Sequence, residues 1–217
     1  MINGIRLKVC GITSLVDADA ADAVGADCLG FIFHPQSPRG ITLTQFLAMK
    51  DRLPPRKLGA VCVEPAAADL AAYAAAGFEY FQIHFSADTP LASLAAWSQL
   101  VGRSRLWLAP KLPPPHDVKP EWLPLADTFL LDTFHPDKFG GTGETGDWVK
   151  FKRHRDAHPG KQWVLSGGLN AENLAAAVTA TGAKFIDVNS GVESVPGVKD
   201  AARLTALRRA IERAVPA

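Results

Sequence analysis

The sequence predicts an α/β fold of the parallel class, a closed (β/α)8 barrel built by residues 1–217 as one domain, and three observations carry that prediction. Eight short apolar runs alternate with Ala- and Leu-rich stretches from end to end. The runs are apolar throughout rather than at every second residue, as strands covered by helices on one face and packed into a core on the other must be. Glycines recur just past the helical stretches, where a left-handed residue ends a helix and turns the chain toward the next strand. An open, doubly wound sheet is the alternative, and eight regular units count against it.

Taken in order, "IRLKVC" (5–10) is the first strand, and Thr13 or Ser14 can cap a helix over "SLVDADAADAV" that stops at Gly25. "CLGFIF" (28–33) runs into the long loop "FHPQSPRG", after which Thr42 can cap "LTQFLAMKDR". "LGAVCV" (58–63) leads to "AAADLAAYAAAG", ended by Gly77. "YFQIH" (80–84) and "RLWLAPK" (105–111) are the fourth and fifth strands. The prolines of "LPPPHDVKPEWLPLA" then permit only a short helix near 121–125, because each removes a backbone donor and crowds the preceding turn. "TFLLD" (128–132) precedes the long loop "TFHPDKFGGTGETGD". "QWVLSG" (162–167) leads to "AENLAAAVTATG", which starts after Asn170 and stops at Gly182, and "KFIDVN" (184–189) is the eighth strand.

Composition narrows the class of function. With 47% hydrophobic residues the chain can bury a sizeable core, and a net charge of +1 without a basic or acidic block points away from nucleic acid and anionic membranes. Cys10, Cys28 and Cys62 are odd in number and widely spaced, which fits neither a CxxC redox pair nor a zinc pattern and suits a reducing compartment. The opening "MINGIRLKV" has no apolar signal core, and no apolar run is long enough to cross a bilayer. A cytoplasmic, soluble protein is the expectation.

A barrel of this kind carries its chemistry at the C-terminal ends of its strands. The polar residues there are Cys10, Arg39, His84, Lys111, Asp132, the "GGTG" of 140–143, "SGGLN" of 166–170 and "DVNSGVE" of 187–193. A thiol, a carboxylate, cations and glycine-rich turns on one rim suggest an active site with a phosphate pocket. Gly167 and Gly168 would let backbone N–H groups approach an anion, and Asn189, Ser190 and Gly191 stand where a short helix could point its positive end inward. Each residue also has a plainer reading. A strand cysteine packs as a small hydrophobe, which is the expectation for Cys28 and Cys62. Asp132 could cap the next loop, His84 could be a satisfied rim histidine, and Lys111 and Arg39 could be solvated cations.

"KVCGIT", "GFIFHPQSPR", "QIH", "LLDT", "GGTG" with a following "DW", "SGGLNAENL" and "DVNSGVESVPGVKD" together resemble the successive motifs of the phosphoribosylanthranilate isomerase family, in that family's order and over nearly the whole chain. The resemblance implies a barrel of the ribulose-phosphate-binding type. It implies an Amadori rearrangement in tryptophan biosynthesis, from N-(5-phosphoribosyl)anthranilate to 1-(2-carboxyphenylamino)-1-deoxyribulose 5-phosphate, on a small phosphorylated substrate without metal or organic cofactor. It implies Cys10 as general base, Asp132 as general acid and Arg39 as anchor for the anthranilate carboxylate. Further substrate contacts would come from His84, whose role stays open, and from Gly141, Gly167, Gly168, Asn189, Ser190 and Gly191.

The residue types suit that reaction. The furanose ring oxygen must gain a proton as the ring opens to a Schiff base, and the C2 proton must then leave, which an acid and a base on opposite sides of one sugar can do. A free thiol titrates near ~8.5, so Cys10 would need thiolate stabilisation from its surroundings. Phe85, Glu144, Gly146, Asn189 and Gly40 depart from the family's usual residues and bear on affinity and specificity. A metal-dependent epimerase barrel would want His and Asp ligands from several strand ends, and only His84 is offered by a strand end itself. A catalytically silent phosphate-binding barrel is the other alternative, and the presence of both Cys10 and Asp132 counts against it.

Overall fold

The computed structural model describes residues 1–113, 116–132 and 147–215. Eight parallel strands close into a barrel in sequence order: β1 (Arg6–Cys10), β2 (Cys28–Ile32), β3 (Lys57–Val63), β4 (Tyr80–Ser86), β5 (Leu106–Lys111), β6 (Thr128–Leu131), β7 (Gln162–Leu165) and β8 (Phe185–Val188). Pairing of β1 with both β2 and β8 closes the ring and leaves no unpaired edge. Among the described residues seven α-helices lie around it: α1 (Leu15–Ala23), α2 (Leu43–Met49), α3 (Ala67–Ala76), α4 (Leu91–Val101), α5 (Trp148–Ala157), α6 (Leu174–Thr181) and α7 (Ala201–Ala214). Among the described residues no helix is long and apolar enough to cross a membrane.

Local chemistry sets the helix ends. Ser14, rather than Thr13, caps α1 by accepting from the Asp17 amide, while the Thr13 hydroxyl donates to the Gly197 carbonyl. Thr42 and Gln45 form a reciprocal capping box at α2. Gly77 and Gly182 end α3 and α6 in the left-handed conformation, at φ 95° and 62°. Among its described residues the fifth connection holds a 3-10 turn, Pro120–Leu125, and no α-helix. α6 starts later than its sequence suggests, because Asn170 Oδ1 accepts from the amides of Glu172 and Asn173 and holds that stretch in a turn. α4, α5 and α7 come in addition to the helices singled out from sequence. α5 is mostly charged and buries only Phe151 and His154.

Each strand has two environments, and this is what positions the site. Leu7, Val9, Phe31, Phe81, Ile83, Leu108, Phe129 and Ile186 are fully buried among the apolar residues that join strands to helices. A second apolar cluster of Cys28, Tyr80, Trp107, Leu130, Val164 and Phe185 fills the lower barrel, with the Tyr80 and Trp107 rings stacked at 4.1 Å. Gly59 makes room for it, since a Cβ there would sit 1.9 Å from Tyr80 Cζ. The C-terminal half is thereby left to polar side chains. Beyond β8 a 3-10 turn, Ser190–Val192, leads into a two-stranded hairpin, β9 (Glu193–Val195) and β10 (Val198–Lys199). The hairpin was not anticipated from the sequence.

Candidate active site

Alternation along a strand sends residues two apart to one face, so Lys8 and Cys10 of β1 both point into the barrel, as do Gln82 and His84 of β4. At the strands' C-terminal ends lies a cavity of about 270 Å³. Cys10, Arg39, His84, Asp132, Gly167, Gly168, Asn189, Ser190 and Gly191 all line it, so these expected site residues do converge. Gln82, Ser166 and Asp187 line it as well. Lys111, half-buried, is not part of that lining. Gly141, Glu144 and Gly146 lie outside the described residues.

Cys10 is buried, and burial pushes its thiol above the ordinary value. Lys8 and Lys199 act against that rise, whereas Asp187 adds to it. The thiolate stabilisation expected from sequence is therefore present as Lys8, but desolvation outweighs it. Lys8 is itself wholly buried, with Nζ 2.7 Å from Asp187 Oδ2. Burial works against its charge, yet Asp187 and Cys10 hold the ammonium above its ordinary range.

Arg39 is no solvated cation. It is 8% exposed, and its Nε and Nη2 form a two-pronged contact with Glu193 of β9, at 2.9 and 2.7 Å. Lys199 of β10 donates to the same carboxylate at 2.9 Å and to Asn189 Oδ1 at 2.8 Å. Burial favours the neutral acid, but Arg39 and Lys199 hold the Glu193 carboxyl below its usual range. Gly11 permits this packing, because a Cβ there would lie 2.7 Å from Asn189 Oδ1 and 3.0 Å from Arg39 Cδ. The departure at Gly40 is steric too: a Cβ would meet the His34 carbonyl oxygen at 2.6 Å.

His84 Nε2 lies 2.8 Å from the Gln82 amide, and burial pulls the imidazole down to about 3, so it is neutral at physiological pH. The plain reading of a satisfied histidine describes it. Phe85, its neighbour, turns the other way and packs edge-on against Trp122 at 5.1 Å, outside the cavity. Gln82 Oε1 and Asp187 Oδ1 are buried acceptors without a hydrogen-bond partner among the described residues. On the far rim Gly167 and Gly168 adopt φ of 97° and 59°, and Gly191 is so close to the preceding loop that a Cβ would meet Leu169 O at 2.1 Å. The loops after β7 and β8 thus touch through glycine, with Asn173 Nδ2 donating to the Gly168 carbonyl at 2.8 Å.

The family described as N-(5'-phosphoribosyl)anthranilate (PRA) isomerase matches residues 7–210. The chain belongs to that family. It is 34% identical over 216 residues to the N-(5'-phosphoribosyl)anthranilate isomerase of Synechococcus elongatus, covering 97% of each chain. The crystal structure of the enzyme from Thermus thermophilus superimposes with a TM-score of 0.78 at 31% identity, covering 96% of this chain and 99% of that one. A further PRA isomerase structure, 28% identical, with a TM-score of 0.74 and coverage of 96% and 99%, holds reduced 1-(o-carboxyphenylamino)-1-deoxyribulose 5-phosphate. Membership of the PRA isomerase family makes this barrel an isomerase of tryptophan biosynthesis.

Sequence reasoning singled out neither Lys8, Gln82 nor Lys199, and Asp187 and Glu193 only as the ends of a motif. Lys8 left a signal, a lysine within an apolar strand at period-2 spacing from Cys10. Glu193 and Lys199 reach the site through a hairpin that no periodicity announces.

Proposed function

We propose that this cavity converts N-(5-phosphoribosyl)anthranilate into 1-(2-carboxyphenylamino)-1-deoxyribulose 5-phosphate, with Asp132 as acid and Cys10 as base, in a cytoplasmic enzyme whose residues 1–217 form one domain. The observation that carries the reading is that Cys10, at the end of β1, and Asp132, just after β6, line one cavity with β7 and β8 between them in the ring. The sugar can lie across the barrel mouth with one group on each side.

In the forward direction Asp132, protonated, gives its proton to the furanose ring oxygen as the C1–O bond breaks, and the anthranilate nitrogen supplies the electron pair for C1=N. The Cys10 thiolate then removes the C2 proton, and the C2–H electrons form C1=C2 as the iminium nitrogen is neutralised. Loss of the enol O–H proton and return of a proton to C1 yield the ketose, so the net change is an isomerisation. Glu193 occupies the Nε side of Arg39, leaving Nη1 and the outer N–H of Nη2 as the fork for the anthranilate carboxylate. Backbone N–H groups around Gly167, Gly168, Ser190 and Gly191 would hold the phosphate, and Gly141 would supply a further substrate contact. The relative that carries a reduced product with both a carboxylate and a phosphate supports this arrangement. Three free, buried thiols support a reducing, cytoplasmic setting.

The test is the loss of fluorescence of freshly made phosphoribosylanthranilate. Cys10→Ala and Asp132→Asn should each lower kcat by about 10²–10⁴ with an unchanged circular dichroism spectrum. Wild-type turnover in both variants would remove the assignment.

A further inference from the structure

We propose that Lys8 is a positioning residue for Cys10: its buried ammonium, anchored by Asp187, is the counter-ion that lets the thiolate exist inside the barrel. The proposal deepens the isomerase reading and rests on its use of Cys10 as the base.

Lys8 is fully buried, a place where desolvation strongly penalises an ammonium. Stability alone does not explain it. A buried ion pair can often be exchanged for apolar residues of similar volume without loss, and the layer formed by Trp107, Tyr80 and Phe185 shows that this barrel interior accepts such residues. Asp187 Oδ2 at 2.7 Å accounts for one of the three ammonium donors. The geometry at Gly30 shows what lies beside the others. Gly30 pairs with Cys10 across β1 and β2, and a Cβ there would meet Lys8 Cε at 3.0 Å, Cys10 Sγ at 3.1 Å and Lys8 Nζ at 3.2 Å. The ammonium and the sulfur therefore pack against the same point, in space that glycine leaves open.

Lys8 from its own strand, Asp187 from β8 and Lys199 from β10 all act on the charge of Cys10. Lys199 already donates to Glu193 and Asn189, and its influence on the thiol is smaller than that of Lys8. Asp187 opposes ionisation of Cys10, but it also holds the Lys8 ammonium in place. In the reaction no bond forms to Lys8. It balances the thiolate before the C2 proton moves and keeps only Asp187 as its partner once Cys10 carries that proton.

The test reads the thiol directly: the pH dependence of Cys10 alkylation by iodoacetamide, followed on the Cys10 peptide by mass spectrometry. This needs no substrate. In Lys8→Met the midpoint should move up by about one unit or more, seen as roughly tenfold slower alkylation at pH 8. The acidic limb of the kcat profile should move with it, with KM for phosphoribosylanthranilate little changed. In Asp187→Asn, where Lys8 keeps its charge, the midpoint should move down. Lys8→Met leaves Asp187 buried and unpaired and can fail to fold, so the double variant Lys8→Met/Asp187→Asn is compared with Asp187→Asn alone. The double variant should have the higher midpoint, and equal midpoints in that comparison would overturn the proposal. A midpoint that shifts while turnover does not would uphold Lys8 as the counter-ion and remove Cys10 as the base instead.

Discussion

Side chains inside the barrel are held in one charge state by burial, and His84 gives that statement a measurable consequence. Its imidazole is pulled from 6.5 to about 3, so the folded protein leaves it neutral where the unfolded chain protonates it. Below pH 6.5 the unfolded state therefore binds more protons, and stability falls as the pH drops toward 3. Its contribution is intact above pH 6.5, and one such group adds a slope of up to about 1.4 kcal/mol per pH unit. Urea unfolding between pH 7 and 4 should show a steeper loss for wild type than for His84→Gln, and equal slopes would mean that this ring is solvated. Residues of this kind were unevenly legible in the sequence. Cys10, Arg39 and Asp132 could be found because they end strands or follow them. The state of Cys10 could not be found, since it depends on Lys8 and Asp187, which lie 179 residues apart.

At the scale of elements, legibility followed the source of each element's stability. The eight strands lie within two residues of their apolar runs at every end, because burial on both faces imposes that composition. The β9–β10 hairpin has no such signature; its two short strands around the turn at Gly197 are held by the contacts of Glu193 and Lys199 with Arg39, Asn189 and the Gly197 amide. That dependence runs both ways. Glu193→Gln should leave two buried cations undercompensated, lowering stability by about 3 kcal/mol, since breaking a buried pair by removing one partner is costly. Arg39 would also lose its two-pronged support, so KM for phosphoribosylanthranilate should rise several-fold with kcat changed less. A fall in kcat at constant KM would show that the hairpin serves the chemistry rather than the placement of Arg39.

At the scale of the molecule, closure of the sheet assigns alternate residues of each strand to different tasks, and β4 shows both tasks in adjacent positions. His84 faces the cavity, whereas Phe85 is fully buried among helix-facing residues, with Trp122 at 5.1 Å and Trp97 at 6.2 Å. The fold as a whole was legible because alternating strands and helices leave few closed arrangements. The side to which Phe85 turns follows from strand alternation once His84, its neighbour, is known to face the cavity. Read from sequence, its departure from the family's usual residue bore on affinity and specificity. In the barrel it is a change in the layer between β4 and its covering aromatic residues. Phe85→Ala should therefore cost about 3–5 kcal/mol, the range for emptying a buried aromatic position. At about 2–4 °C per kcal/mol for a chain of this size, Tm should fall by roughly 10 °C, while kcat and KM at 25 °C stay within about twofold of wild type. Calorimetry and the fluorescence assay on one preparation measure both. A KM raised tenfold with Tm unchanged would mean that position 85 meets the substrate and that its departure from the family's usual residue alters recognition after all.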